Sequence, residues 1–124
     1  MARTTSSTLT PAELKVMQVL WRAGPSSAAD VVRALHGRRG PQDSTVRTIL
    51  RILERKGYVR HKRDGRTFVY QAVVAEDQAQ RGALREVMTR FFENSPERLV
   101  LNLLQHEDVS PEELARLRKL VDEG

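Results

Sequence analysis

The 124-residue chain contains no cysteine. No disulfide can brace it, no thiolate can hold a metal, and no cysteine nucleophile is available. Nor does any apolar run approach the ~20 residues that a membrane-spanning helix needs. The opening residues, "MARTTSSTLTPAE", hold one arginine and no apolar stretch, so they do not read as a secretion signal. The chain is therefore expected in the cytoplasm, with no membrane association of its own. The constellations of catalysis are missing too: no nucleophile–base set, no paired-acid motif, no glycine-rich phosphate loop. "GRRGP" is a turn carrying two arginines rather than a phosphate cradle. His36, His61 and His106 fall on three different elements without ligand spacing. No enzyme, metal or cofactor is expected.

What remains is ordinary in amount and unusual in arrangement. Hydrophobic residues make up 40% and charged residues 30%, as in a globular protein, and the length suits one domain or one compact domain with a small appendage. A core of this size is limited, and dimerisation often supplements it. The net charge of +5 is split. Residues 1–75 carry 14 Lys/Arg against 5 Asp/Glu, while residues 76–124 carry 7 against 11. A basic half points to a polyanion, most often nucleic acid. The acidic half suggests a different task.

Positive charge peaks in "STVRTILRILERKGYVRHKRDGRTFVY", Ser44 to Tyr70, with 8 cations and 2 acids. The stretch changes period halfway. Val46, Ile49, Leu50 and Leu53 recur at helix spacing and predict a helix ending at Lys56, before Gly57. Its opposite face holds Ser44, Thr45, Arg47, Thr48, Arg51 and Arg55, with no acid among them; Glu54 is the lone carboxylate from Ser44 to Lys56. Beyond Gly57, "YVRHKR" and "RTFVYQ" alternate around Asp64-Gly65, a strong hairpin signal. Tyr58, Phe68 and Tyr70 are expected to pack on the body, leaving Arg60, Lys62, Arg63 and Arg66 at or near the tip.

Two helices precede this stretch. Thr10 as N-cap, Pro11 at N1 and Glu13 at N3 form a capping box, and Leu9 with Leu14 is placed for a hydrophobic staple. Leu14, Val16, Met17, Leu20 and Trp21 make the apolar face, and "AGP" ends it. Ser27 caps a second helix with Asp30 at N3; Val31, Val32 and Leu35 look inward, and Gly37 to Asp43 reads as a loop. After the hairpin come a long helix over about Ala75 to Phe92, a fifth over "PERLVLNLLQHE", and a sixth opened by a capping box from Ser110 to Glu113.

Three helices and a hairpin make a winged helix-turn-helix, in which the third helix enters the major groove and the wing reaches flanking backbone. The fold expected is mainly α with a small β-hairpin: a flexible tail over residues 1–9, a winged helix-turn-helix over 10–74, and a helical domain over 75–124. The DNA-binding residues expected are Ser44, Thr45, Arg47, Thr48, Arg51 and Arg55 on the helix, with Arg60, Lys62, Arg63 and Arg66 on the wing. Arg47 and Arg51 are the candidate base readers, since arginine pairs bidentately with guanine. The bland alternative for the helix arginines is a solvated face; against it, the run is of one sign and stands beside a basic hairpin.

"LTPAELKVMQVLW", "STVRTILRILERKGYV", "KRDGRTFVYQAVV" and "RLVLNLLQHEDVSPEELARLRKLV" together resemble the penicillinase repressor family of the BlaI/MecI type, from about Leu9 to Val121. The resemblance implies a homodimeric transcriptional repressor on a palindromic DNA operator, with three C-terminal helices for dimerisation. Leu84, Met88, Phe91, Leu99, Leu103, Leu114, Leu117 and Leu120 are the residues expected at that interface. Family repressors are released by proteolysis under a membrane sensor metalloprotease, the cut falling between Asn and Phe in an "LVLNF"-like segment. Asn102-Leu103 is the matching bond, with Leu103 in place of Phe. That departure favours Asn102 as a helix residue at a dimer surface. A copper-responsive branch of the family uses a C-terminal cysteine motif, which this chain lacks.

Two other functions compete. Winged helices also serve as protein-interaction modules, though without a one-signed reading face; steep salt dependence of DNA binding separates the two. A ligand-responsive regulator of another winged-helix family, such as the MarR type, brackets its winged helix with dimerisation helices at both ends. Here only nine residues precede the first helix.

Overall fold

The computed structural model of the chain describes residues 9–35 and 43–124. The tail expected at the N-terminus (but for Leu9), His36 and the loop from Gly37 as far as residue 42 lie outside the described residues. In chain order the elements are α1 (Pro11–Ala23), β1 (Ser26–Ser27), α2 (Ala28–Leu35), α3 (Asp43–Lys56), β2 (Val59–Asp64), β3 (Thr67–Ala72), α4 (Glu76–Phe91), α5 (Pro96–His106) and α6 (Pro111–Glu123). The expected class, mainly α with a small β-hairpin, is observed, and β1 extends the hairpin to a three-stranded antiparallel sheet.

Local chemistry sets the helix ends. Thr10 Oγ1 accepts from the Glu13 amide at 3.1 Å, and Glu13 Oε1 accepts from the Thr10 amide at 3.0 Å, so α1 opens with the expected capping box. Ser27 and Asp30 make the same reciprocal pair ahead of α2, both bonds at 3.1 Å. At the end of α3 the chain turns through Gly57, whose φ of 92° strains any side chain. The Gly57 amide donates to the Glu54 carbonyl at 3.1 Å and the Tyr58 amide to the Leu53 carbonyl at 2.9 Å. This Schellman closure hands the chain from the helix to β2 with Tyr58 already facing the core.

The sheet order is β1-β3-β2, antiparallel throughout. β1 has no sequence signal: two residues carry no alternation, and only pairing with Val69 and Tyr70 makes them a strand. The hairpin turn also differs from the Asp64-Gly65 expectation. Asp64 pairs with Thr67, which leaves Gly65-Arg66 as the two-residue loop. Gly65 has φ +64° and Arg66 is not in the left-handed region, the pattern of a type II′ turn.

The first compact unit ends at Glu86. Its core is Val16, Met17 and Leu20 from α1, Val31 from α2, Val46, Leu50 and Leu53 from α3, with Tyr58, Val59, Tyr70 and Val74 from the sheet region. Val32, Leu35 and Ile49 pack at its margin, and Trp21 Nε1 donates to the Val74 carbonyl at 2.9 Å. Glu13, only 5% exposed, ties α1 to the end of α3 through Lys56 Nζ at 2.7 Å. Burial pushes its carboxyl up, but hydrogen bonds from Lys56 and Thr10 outweigh that and hold it below the usual carboxylate value. Tyr58, sealed in this core, is pushed up by burial and by the charges of Glu13 and Glu86.

The second unit, Val87–Gly124, holds the end of α4 with α5 and α6. α4 stops where Glu93 and Asn94 both turn left-handed, at φ 51° and 58°, and the Asn94 amide donates to the Met88 carbonyl at 2.9 Å. Ser95 caps α5, Pro96 follows at N1, and Ser110 with Glu113 builds the expected capping box on α6. Neither α5 nor α6 has a single buried residue.

Candidate nucleic-acid interface

The helix face expected to be polar is exposed as a whole: Ser44, Thr45, Arg47, Thr48, Arg51 and Arg55 all stand in solvent, while Val46, Leu50 and Leu53 are buried on the other side. The face is internally ordered. Thr48 Oγ1 donates to the Ser44 carbonyl at 3.0 Å and in turn accepts from Arg51 Nη2 at 3.4 Å. Asp43 pairs with Arg47 at 3.1 Å one turn along. Both contacts are exposed, so their net contribution to stability is small; their effect is to bias where two guanidinium groups point.

Strand register divides the wing cations. Arg60 lies opposite Gln71 and Lys62 opposite Val69, whereas His61 faces Tyr70 and Arg63 faces Phe68. Side chains alternate across a sheet, so Arg60 and Lys62 share one face and His61, Arg63, Phe68 and Tyr70 the other. Tyr70 is buried in the core, which turns the second face toward α3. Phe68 departs from the expected inward packing. It is 42% exposed, with its ring 4.4 Å from that of His61 and the Arg63 guanidinium 5.7 Å from its centroid.

An open cleft of about 640 Å³ follows from this arrangement. Arg47 and Arg51 line it from α3, Arg63 and Arg66 from the wing, and Ser27, Ala28 and Ala29 from the start of α2. Thr67, Phe68 and Tyr70 form its floor on the sheet side. Four of the expected cations thus converge, and Arg55, Arg60 and Lys62 stand outside. Burial raises the Tyr70 phenol, as does Glu54, while Arg51 and Arg47 pull it back, so all three charges reach this ring. The small residues at the start of α2 carry no binding signal in the sequence. The Ser27–Asp30 capping box was visible, but only the fold puts that helix end beside the wing.

Cations of one sign around a groove next to an exposed helix can hold an extended anion and present donors to base edges. Among the described residues no group of three His, Asp or Glu side chains is arranged to hold a metal, and no helix is long and apolar enough to cross a membrane. Asn102 and Leu103 sit exposed within α5, and the apolar positions expected at a dimer contact are exposed or half-buried: Phe91 at 70%, Leu103 at 49% and Leu117 at 53% among them.

The fold and its cationic cleft define a winged-helix protein. A solved structure bears directly on that class: the solution structure of the DNA-binding domain of the repressor BlaI is 29% identical, with a TM-score of 0.53, covering 60% of this chain and 92% of that one. The family model for the penicillinase repressor matches residues 9–123, and the chain belongs to that family, one of regulators and not of enzymes. Among its relatives, the penicillinase repressor of Bacillus licheniformis is 29% identical over 93% of this chain and 90% of its own length. The methicillin resistance regulatory protein MecI of Mammaliicoccus sciuri is 26% identical over 92% and 93%.

Proposed function

We propose that this protein is a transcriptional repressor that binds a pseudo-palindromic operator in double-stranded DNA as a homodimer. The observation that carries the reading is the convergence of Arg47, Arg51, Arg63 and Arg66 on one cleft between α3 and the wing. In this reading α3 enters the major groove, with Ser44, Thr45 and Thr48 as short donors and Arg47 and Arg51 at base edges. Arg63 and Arg66 hold phosphates beside it. Arg55, Arg60 and Lys62, outside the cleft, add charge along the flanking backbone and set affinity more than sequence choice.

The homodimer rests on α4, α5 and α6. Leu84, Val87 and Phe91 on α4, Leu101 and Leu103 on α5, and Leu114, Leu117 and Leu120 on α6 are all at least 41% exposed in the single chain. Apolar exposure on this scale marks an interface. With Met88 and Leu99, these positions supply the apolar core of a two-fold contact. A two-fold dimer presents two α3 helices to one face of DNA, hence the pseudo-palindrome. The site of action is the cytoplasm. Release by a membrane sensor metalloprotease at Asn102-Leu103 is a reading that stands on the match of "LVLNLL" to the family's segment; the bond lies inside α5.

Footprinting on the chain's own upstream intergenic DNA against a scrambled duplex, over a range of salt, tests the proposal. A protected two-fold site bound at least ~10³-fold tighter than the scrambled control is expected. Uniform, salt-sensitive binding to both duplexes would remove the operator from the reading. No binding at low salt would favour the protein-interaction module.

A further inference from the structure

The helix that carries the cationic face also carries a carboxylate whose position needs a reason. Glu54 lies on α3 between Arg51 and Arg55, where an unpaired acid would repel a phosphate backbone. It is not unpaired. His61 Nδ1, on β2, lies 2.7 Å from Glu54 Oε1 and 2.9 Å from Oε2. A carboxylate only accepts, so Nδ1 carries the proton and donates. The imidazole is held from its other sides by rings on β3, Phe68 at 4.4 Å and Tyr70 at 5.4 Å between centroids. Tyr70 is anchored in the core, and Phe68 carries the Arg63 guanidinium over its face.

The contact therefore joins the reading helix to the wing. Beyond Val59 every residue of β2 is exposed, so past that residue the outer strand has no core packing of its own to fix it against α3. Resting on the DNA-binding reading above, we propose that Glu54 and His61 are positioning residues for operator recognition. Their clasp sets the wing at a fixed distance from α3, so that Arg63 and Arg66 meet phosphates while Arg47 and Arg51 meet bases of one duplex. The carboxylate costs some general attraction for DNA and contributes selectivity through geometry.

The two roles predict opposite signs. A merely repulsive carboxylate, once neutralised, would let every duplex bind more tightly. A positioning carboxylate, once neutralised, tightens random DNA and weakens the operator. The experiment measures binding of full-length wild type, Glu54→Gln, His61→Phe and the double variant to the footprinted operator and to a random duplex at one salt concentration. His61→Phe keeps the ring stack and removes the donor. For Glu54→Gln, random-duplex binding should tighten about twofold and operator binding weaken about threefold, sizes suited to a clasp one-third exposed. His61→Phe should weaken the operator to a similar degree. The double variant should lose little more selectivity than His61→Phe, because both changes act on one contact: Gln keeps an acceptor without the charge, and Phe removes the donor. Equal tightening on both duplexes for Glu54→Gln overturns the proposal, as does additivity of the two single changes. If wild type itself shows no operator preference, the operator reading falls and the clasp with it. An intact preference with an unchanged ratio in Glu54→Gln sinks the clasp alone.

Discussion

The two units of this chain bury their apolar residues in opposite ways. In the first, α1, α2, α3 and the sheet enclose seven large side chains almost completely, from Val16 and Met17 to Tyr58. In the second, α5 and α6 are well capped at their N-termini yet bury nothing. Good local signals thus produced good helices in both places, but closure in only one. Capping and periodicity determine that a helix forms; whether its apolar stripe meets a partner within the same chain is a separate question. The first unit answers it internally. The second does not, and its exposed leucines are the ground for the dimer proposed above.

That contrast can be broken most directly in the second unit. Replacing Leu103 and Leu117 together with Asp should raise the dimer dissociation constant by at least about a hundredfold, since each leucine contributes ~1.5–3 kcal/mol on burial and each aspartate resists it. Sedimentation velocity reads the outcome, and an unchanged species would show that the exposed leucines are not the contact. The first unit should respond differently. Leu50→Ala empties a fully buried position and should cost about 2–5 kcal/mol in urea unfolding, independent of protein concentration. A strong concentration dependence of that loss would mean the first unit also relies on a partner.

Next in size are the changes at the cleft. Arg51→Ala should weaken operator binding by about 1–3 kcal/mol and random DNA by less, whereas Lys62→Ala should weaken both alike and flatten the salt slope by ~1. Equal losses on both duplexes for Arg51→Ala would take it off the list of base readers. The smallest effect concerns how the first unit is tied. Glu13 is depressed below its ordinary 4.5 when folded, so it stabilises the fold above its unfolded pKa and that stability is lost as pH falls through the folded value. Glu13→Gln should therefore cost about 1 kcal/mol at neutral pH, with the difference from wild type closing under acid. A gap that persists at low pH would mean packing, not charge, is what Lys56 and Thr10 provide.

Much of this was legible in local signals. The capping boxes at Thr10, Ser27 and Ser110 gave three helix starts, and Val46, Ile49, Leu50 and Leu53 oriented α3 with its cations outward. The hairpin was placed within a residue; its turn was misjudged because Asp64-Gly65 suits a type I′ loop, whereas the strand register put Gly65 first in the loop. Phe68 was misjudged because alternation marks which face a residue occupies and not how far the core extends along the strand. β1, too short to have a period, left no trace.

The order of elements, the sign of the charge and the face of α3 that carries it were determined by the sequence, because helix period, capping and turn chemistry act over a few residues. Only the tertiary structure decided which cations converge, that Arg63 and Arg66 share the cleft while Arg60 and Lys62 do not, and that Glu54 meets His61. Those outcomes depend on strand register and on the angle at which the hairpin leaves Gly57, and both are settled by packing between residues far apart in the chain.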